Sequence, residues 1–327
     1  MRVLITGGLG FIGWRLARHL RRSGVFASVV DSVWNNGLPI GEAVRAEVAR
    51  RQRRLEGLAA SGMDAGGIVQ IADLLDPDRL DDVLAEARPT HVVHLAGLSR
   101  VDVARQHPER ALEANIALTR RLLVALERRE GIRRVVLASS SMVYGHFETL
   151  PCPESAPCRP VEPYGASKLA CEDLLAAWGR QHGVETVSFR TSSVYGSGDF
   201  NGRVVERFVE SALAHRPLVL NENGQERLDF TFVDDLVDGI GLLLRDGPLS
   251  SDVFNLTRGE ARTLKELAGI IQEHLGPVSI ELRPVPSDRP RRGALDISKA
   301  RECLGFSPAV SLEEGMRRVL ADRVSRA

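Results

Sequence analysis

Short apolar runs alternate with amphipathic stretches through roughly the first 190 residues, a pattern that predicts strands separated by helices. Runs rich in Val, Ile and Leu fall near residues 2–6, 26–31, 67–72, 90–96, 133–139 and 184–190. Such continuous apolar strands suit a parallel sheet that is covered by helices on both faces. Apolar positions at helical spacing predict helices near 11–23, 41–60, 76–87, 104–130 and 164–182. The expected fold class is therefore α/β, with a doubly wound parallel sheet over residues 1–188. Beyond about residue 190 the alternation weakens, and Pro and Gly punctuate shorter elements. Residues 189–327 are expected to form a smaller C-terminal α/β substrate domain, with 229–247 returning to the large sheet.

Composition narrows the function more than the fold. A chain of 327 residues exceeds the usual single core, in keeping with one large domain and one smaller. Apolar residues make up 43% and charged residues 26%, as in a soluble globular protein. The 43 basic and 43 acidic residues cancel, so nothing favours nucleic acid or a membrane surface. The basic run Arg50-Arg-Gln-Arg-Arg54 is expected on an exposed face of its helix. Cys152, Cys158, Cys171 and Cys303 form neither a C-x-x-C nor a Cys/His cluster, which fits a reduced cytoplasmic compartment without structural zinc. The N-terminal apolar run is interrupted by glycines and followed by arginines, which suits neither a signal sequence nor a membrane span.

Candidate chemistry begins at Thr6-Gly-Gly-Leu-Gly-Phe-Ile-Gly13, between the first strand and its helix. Gly7, Gly10 and Gly13 permit a tight turn and close backbone approach to a pyrophosphate. Phe11 and Ile12 lead into a helix N-terminus with unpaired N–H groups. The expectation is the dinucleotide turn of a Rossmann fold, with a plain strand–turn–helix as the alternative. Asp31 ends the second strand, where a carboxylate accepts from both adenosine ribose hydroxyls and repels a 2′-phosphate, so NAD is expected as the cofactor. Asp73 and Leu74 follow the third strand, in a place suited to adenine. Leu95, Ala96 and Gly97 end the fourth with small or apolar residues against which a cofactor can lie. His94 reads as a packed strand residue, and no metal-ligand set stands out. Asn35 and Asn36 either reach the cofactor or form the turn Asn35-Asn-Gly37.

Tyr164 and Lys168 stand four apart on a predicted helix, on one face. A phenol titrates near pH ~10, so service as a base near neutrality needs a bias of about 4 kcal/mol. A neighbouring ammonium and the positive nicotinamide of NAD supply it. Lys168 is also placed to hold the ribose hydroxyls. Ser139, Ser140 and Ser141 follow the fifth strand at the carboxyl edge, where one hydroxyl can orient a substrate oxygen towards Tyr164. A serine hydrolase is disfavoured, because no G-x-S-x-G elbow is present.

These residues carry a resemblance to the extended short-chain dehydrogenase/reductases, and within them to the NAD-dependent epimerase/dehydratase family of nucleotide-sugar enzymes. It runs from the glycine turn through Ser139-Ser-Ser-Met-Val-Tyr-Gly145, Pro163-Tyr-Gly-Ala-Ser-Lys168, Ser193-Val-Tyr-Gly196 and Phe232-Val-Asp-Asp235 to Asp296-Ile-Ser-Lys-Ala300 and Leu304-Gly-Phe-Ser-Pro308. The resemblance implies Ser140 as the catalytic serine, Tyr164 as the base and Lys168 as its modulator. It implies that Asn115 is a structural asparagine beside the cofactor, and that the chain is a homodimer through a four-helix bundle of 104–130 and 164–182. Nucleotide-sugar 4,6-dehydratases carry Asp-Glu after the catalytic hydroxyl. Ser141 and Met142 stand there instead, and the set that remains is similar to UDP-galactose or UDP-glucuronate 4-epimerases. The alternative is a one-way reductase or dehydrogenase of a keto sugar or other alcohol that uses the same three residues.

The substrate positions depart from the family. Ser193 replaces the usual asparagine of Asn-Val-Tyr-Gly-Pro. Leu228 falls where relatives place an arginine against the diphosphate, with Arg227 one residue early. Arg203 and the segment Arg289-Pro-Arg-Arg292 offer substitutes, or are exposed loop arginines. Ser193, Arg203, Arg227 and Arg289, with Ser140 and Tyr164, are the expected substrate contacts.

Overall fold

Strands β1 (Arg2–Thr6), β2 (Phe26–Asp31), β5 (Val69–Ile71), β6 (His91–His94), β7 (Arg134–Ala138) and β8 (Glu185–Arg190) pair in parallel. With Val253–Asn255 they form a seven-stranded sheet in the order Val253–Asn255, β8, β7, β6, β1, β2, β5. The short strands β3 (Trp34–Asn35) and β4 (Leu38–Pro39) make a separate antiparallel pair. The computed structural model describes residues 1–325 apart from 36–37, 40, 61–64, 222–223, 250–252 and 285–289. Asn36 and Arg289 therefore lie outside the described residues, as does the Asn35 side chain. Two units emerge, the first comprising Met1–Val143, Pro160–Arg190 and Ile240–Phe254.

In the first unit the strand order reverses at β1, between β2 and β6. Doubly wound sheets open a ligand crevice at such a switch point, outside the carboxyl ends of the strands. Leu4, Val30, Val92 and Val135 of the sheet pack with Leu80, Leu84, Leu122 and Leu175 of helices α3 (Pro77–Ala87), α6 (Leu118–Glu127) and α7 (Pro163–His182). Asp76 caps α3 by accepting the N–H groups of Asp78 and Arg79, and Pro77 enters its first turn. Helix α1 (Gly13–Arg22) buries Trp14, Leu16, Ala17, Leu20 and Arg21.

Three features differ from expectation. The stretch expected as one helix over 104–130 is broken into α4 (Val101–Gln106), α5 (Pro108–Ala111), a π-turn at Leu112–Ala117, and α6. Pro108 lacks the N–H that would continue α4. The strand that joins the large sheet after residue 229 is Val253–Asn255, whereas Thr231–Phe232 pairs with Val194–Tyr195 in the second unit. The buried guanidinium of Arg134 holds the returning segment, donating to the carbonyls of Leu243 and Arg245 at 2.6 Å each. The basic run on α2 (Glu42–Ala60) also divides. Arg50, Arg53 and Arg54 are exposed as expected, but Arg51 is fully buried, because its helix packs that side chain against α1 and the glycine turn.

The second unit comprises Tyr144–Arg159, Thr191–Gly239 and Asn255–Ala327. The chain thus changes unit at 190/191, near the expected 188/189, and also contributes 144–159. Its core gathers Tyr195, Phe208, Leu228, Phe230, Phe232, Leu267, Ile271 and Met316. Helices α8 (Val204–Leu213), α9 (Val233–Leu243), α10 (Leu264–Leu275), α11 (Ser298–Leu304) and α12 (Leu312–Val324) accompany three two-stranded ribbons, and the last residues of α9 belong to the first unit. A capping box of Thr263 and Glu266 starts α10. Among the described residues, no helix is long and apolar enough to cross a membrane.

Candidate active site

The turn after β1 shows why glycine is needed there. Gly7 has φ +67°, and a Cβ on it would lie 2.8 Å from the Ala96 nitrogen. On Gly13 a Cβ would stand 2.3 Å from the Gly7 carbonyl oxygen. Gly8, not singled out from sequence, has the same need: its Cβ would meet that of Val29 at 2.4 Å. The pair of adjacent glycines was the available signal. Gly10 N–H closes the turn on the Gly7 carbonyl at 3.1 Å. Phe11 is buried, and Ile12 opens α1 without a side-chain cap, at a helix N-terminus whose dipole favours an anion.

Asp31 ends β2, where its carboxylate accepts the N–H groups of Leu9 and Val33, each at 3.1 Å. Burial pushes its carboxyl above the ordinary range, against the lowering effect of those backbone donors. Asp73 is exposed beyond β5 and accepts the Leu75 N–H at 2.9 Å, while Leu74 is buried. Leu95 and Ala96 donate their N–H groups to the Thr6 carbonyl and hydroxyl, at 3.1 and 3.2 Å. Gly97, at φ +144°, leaves room for Asn115 Oδ1. Asn115 sits in the π-turn, accepts the Leu98 N–H at 2.8 Å and donates to Ser167 Oγ at 2.8 Å. It thereby ties the loop after β6 to α7.

Helix α7 carries polar residues on its buried face: Tyr164, Ser167, Lys168, Cys171 and Glu172. A packing stripe would be apolar, so that pattern marks a site. Pro163 begins the helix, with Tyr164 next. Lys168 Nζ donates to the Ala138 carbonyl at 3.1 Å, at the end of β7 and two residues before Ser140. Ser140 Oγ accepts the Met142 N–H at 3.2 Å. Gly165 is a second residue that the sequence reading missed. A Cβ on it would lie 2.4 Å from the Met142 carbonyl oxygen, so only glycine lets α7 approach the turn at Ser141–Tyr144 so closely. Ser140, Tyr164 and Lys168 are thus held on two adjoining segments. Met142 packs with Tyr164, Leu98, Val103, Ala104 and Ala111.

Ser139, beside Ser140, donates its hydroxyl to Glu172. Glu172 also pairs with Arg190 at 2.6 Å, and both are buried. Neither member of that pair was legible as a site residue, since each is an ordinary charge in its own element.

Of the expected substrate residues, Ser193, Arg203 and Arg227 belong to the second unit. Arg203 donates to the Val194 carbonyl at 3.3 Å. Arg227 is exposed and donates to the Ala261 carbonyl at 3.2 Å, whereas Leu228 points into the core. The strand register does not shift to bring Arg227 inward: Leu228 faces Arg262 across an antiparallel ribbon. Among the described residues, no three His, Cys, Asp or Glu side chains gather as a metal site.

The donor set of the first unit fits a dinucleotide. It combines a glycine turn against a helix start without a side-chain cap with a strand-end carboxylate, and its lysine donates to the carbonyl at the end of β7. Residues 3–256 match the NAD dependent epimerase/dehydratase family. The chain is 32% identical over 326 residues to the UDP-glucose 4-epimerase of Mycolicibacterium smegmatis, covering 98% of this chain and 97% of that protein. It is 30% identical over 325 residues to the dTDP-glucose 4,6-dehydratase of Streptomyces niveus, covering 97% and 90%. The structure of Thermus thermophilus UDP-glucose 4-epimerase in complex with NAD matches it with a TM-score of 0.83 at 27% identity, over 100% of both chains. On a match over most of its length, the chain belongs to the NAD dependent epimerase/dehydratase family, and NAD is its cofactor.

Proposed function

We propose that the protein inverts C4 of a nucleotide-diphosphate sugar, of UDP-glucose/galactose or UDP-glucuronate type, through a transient 4-keto sugar. The observation that carries this reading is the surroundings of Tyr164. Lys168, on the same helix, reaches the Ala138 carbonyl two residues before Ser140, while Met142, where 4,6-dehydratases place an acidic group, is packed into an apolar cluster with Tyr164. A thioether transfers no proton, so the site supports removal of the C4 proton and hydride without loss of water.

Tyr164 takes the proton of the C4 hydroxyl. Ser140 donates a hydrogen bond to the same oxygen and keeps it facing the phenol. Lys168, anchored on the Ala138 carbonyl, holds the ribose hydroxyls beside Tyr164. The chemistry NAD supplies when bound is a hydride store, filled from C4 and emptied to the opposite face once the keto sugar has turned. Tyr164 then returns its proton to the C4 oxygen, so substrate and product balance without net redox. Gly7, Gly10, Gly13 and Asp31 hold the dinucleotide, and Ser193 and Arg203 are assigned to the nucleotide-sugar, whereas Arg227, exposed and bound to the Ala261 carbonyl, is not. We propose also that two copies pair through 104–130 and 164–182, which leave Leu112 and Val124 exposed at 54% and 37%.

The test is incubation with UDP-, dTDP-, GDP- and CDP-sugars without added cofactor, following C4 stereochemistry by proton NMR. An isomer is expected without change in NADH. With Tyr164→Phe, turnover should fall by about a hundredfold or more while NAD stays bound. Consumption of added NADH with 4-keto sugars, and no isomer, would replace the epimerase by the reductase.

A further inference from the structure

Arg51 is fully buried, and a guanidinium is kept from water only where its charge and donors are matched. Its Nε donates to Glu47 Oε1, one turn earlier on α2, at 3.1 Å. Its Nη1 donates to the Leu9 carbonyl at 3.1 Å, and its guanidinium lies 5.5 Å from the ring centroid of Trp14 on α1. Leu9 lies inside the dinucleotide turn, between Gly8 and Gly10.

Leu9 is held from both sides. Its N–H, in the peptide plane before it, donates to Asp31 Oδ2 at 3.1 Å. Its carbonyl, taken by Arg51, belongs to the plane after it, which also carries the Gly10 N–H that closes on the Gly7 carbonyl at 3.1 Å. Two side chains of opposite charge therefore pin both planes that flank one residue. The glycines around it offer no such restraint, because glycine populates more backbone conformations than any other residue. Asp31 is coupled to the same clamp: one of the donors that aligns its carboxylate is the Leu9 N–H.

We infer that Arg51 is a positioning residue for the cofactor, through which α2 holds the turn in its dinucleotide-binding shape and keeps Asp31 aligned on the adenosine ribose. Helix α2 is thus part of the cofactor site. The inference concerns NAD and is independent of the sugar and of the epimerase reading. Lysine at 51 keeps the charge but has no planar fork to hold Glu47 and Leu9 together on the indole face. Methionine fills the volume and holds neither.

Calorimetric titration of NAD and of NADP into protein freed of dinucleotide, for wild type, Arg51→Lys and Arg51→Met, tests this alongside the unfolding temperature without cofactor. Arg51→Met should weaken NAD by about tenfold or more, the loss of one charge-assisted hydrogen bond. It should also narrow the preference for NAD over NADP, since Asp31 loses its alignment; Arg51→Lys should restore part of both. If both variants bind NAD within twofold of wild type, the inference fails. It fails equally if NAD and NADP weaken by one factor while the unfolding temperature falls, which would make Arg51 a packing residue alone. Should Arg51→Met not fold, the NAD-to-NADP ratio of Arg51→Lys decides between the same outcomes.

Discussion

His94 stands at the end of a strand beside the site, yet both ring nitrogens are committed within the first unit. Nδ1 meets Thr6 Oγ1 at 2.7 Å, and Nε2 meets Thr119 Oγ1 at 3.1 Å. Thr119 donates onward to Cys171 Sγ at 3.4 Å, and Thr6 Oγ1 accepts the Ala96 N–H at 3.2 Å. The donors line up in one direction when Nε2 carries the ring proton, which is the tautomer this network assigns. Burial, and then the charge of Lys168, push the ring down to about 3. The unfolded chain takes up a proton near pH 6.5 that the folded chain refuses until about pH 3. Stability from this group is therefore complete above pH 6.5 and falls as the pH drops, by about 1.4 kcal/mol per pH unit. Urea unfolding of His94→Gln between pH 7 and 5 should show a slope shallower by about one proton. An unchanged slope would mean that this histidine is protonated in the folded protein.

At the scale of elements, the placing of α7 against β7 and β8 decides whether Tyr164 and Lys168 face Ser140. Lys168 reaches the Ala138 carbonyl. One turn later Glu172 joins Ser139, at the end of β7, to Arg190, at the end of β8. Breaking a buried pair by removing one charge leaves the other uncompensated, so Glu172→Gln should cost about 3 kcal/mol in urea unfolding. It should also lower kcat, because Ser140 shifts with its neighbour; an unchanged kcat beside reduced stability would confine the pair to support of the fold. Helix α7 was legible from its periodicity and from the four-residue spacing of Tyr164 and Lys168. The π-turn that aims Asn115 was not, because the apolar period runs on through 112–117 while the backbone hydrogen bonds change partner. Arg51 was hidden for another reason: a charge among charges looks solvated until α2 is packed on α1.

At the scale of the whole molecule, the chain enters, leaves and re-enters the first unit, closing with Ile240–Phe254. Four carbonyl and carboxylate partners on Arg134 hold that return: Leu243, Arg245, Gly247 and Glu185. The proposed pairing of two copies is tested at this scale. Light scattering should give twice the chain mass for wild type, and Leu112→Glu with Val124→Glu should give a monomer, since a charge buried in an interface without a partner is costly. A wild-type monomer would remove the bundle.

By itself the sequence determined the strands of the first unit, its helices apart from the stretch 104–130, the glycine turn and Asp31 at a strand end, and it pointed to the Tyr164, Lys168 and Ser140 set. Apart from the choice of Ser140 among three serines, which the family resemblance supplied, these rest on local spacing. A parallel strand covered on both faces must be apolar throughout, a turn against a phosphate must be glycine, and two groups on one helix face must be four apart. Only the tertiary structure decided which polar groups complete the site, because their partners are remote in the chain. Thr6 finds His94 88 residues away, Asn115 finds Ser167 52 away, and Arg51 finds Leu9 42 away. No window along the sequence contains both members of such a pair. Each is specified by the cost of burying a polar group without a partner, which arises only once the elements have packed.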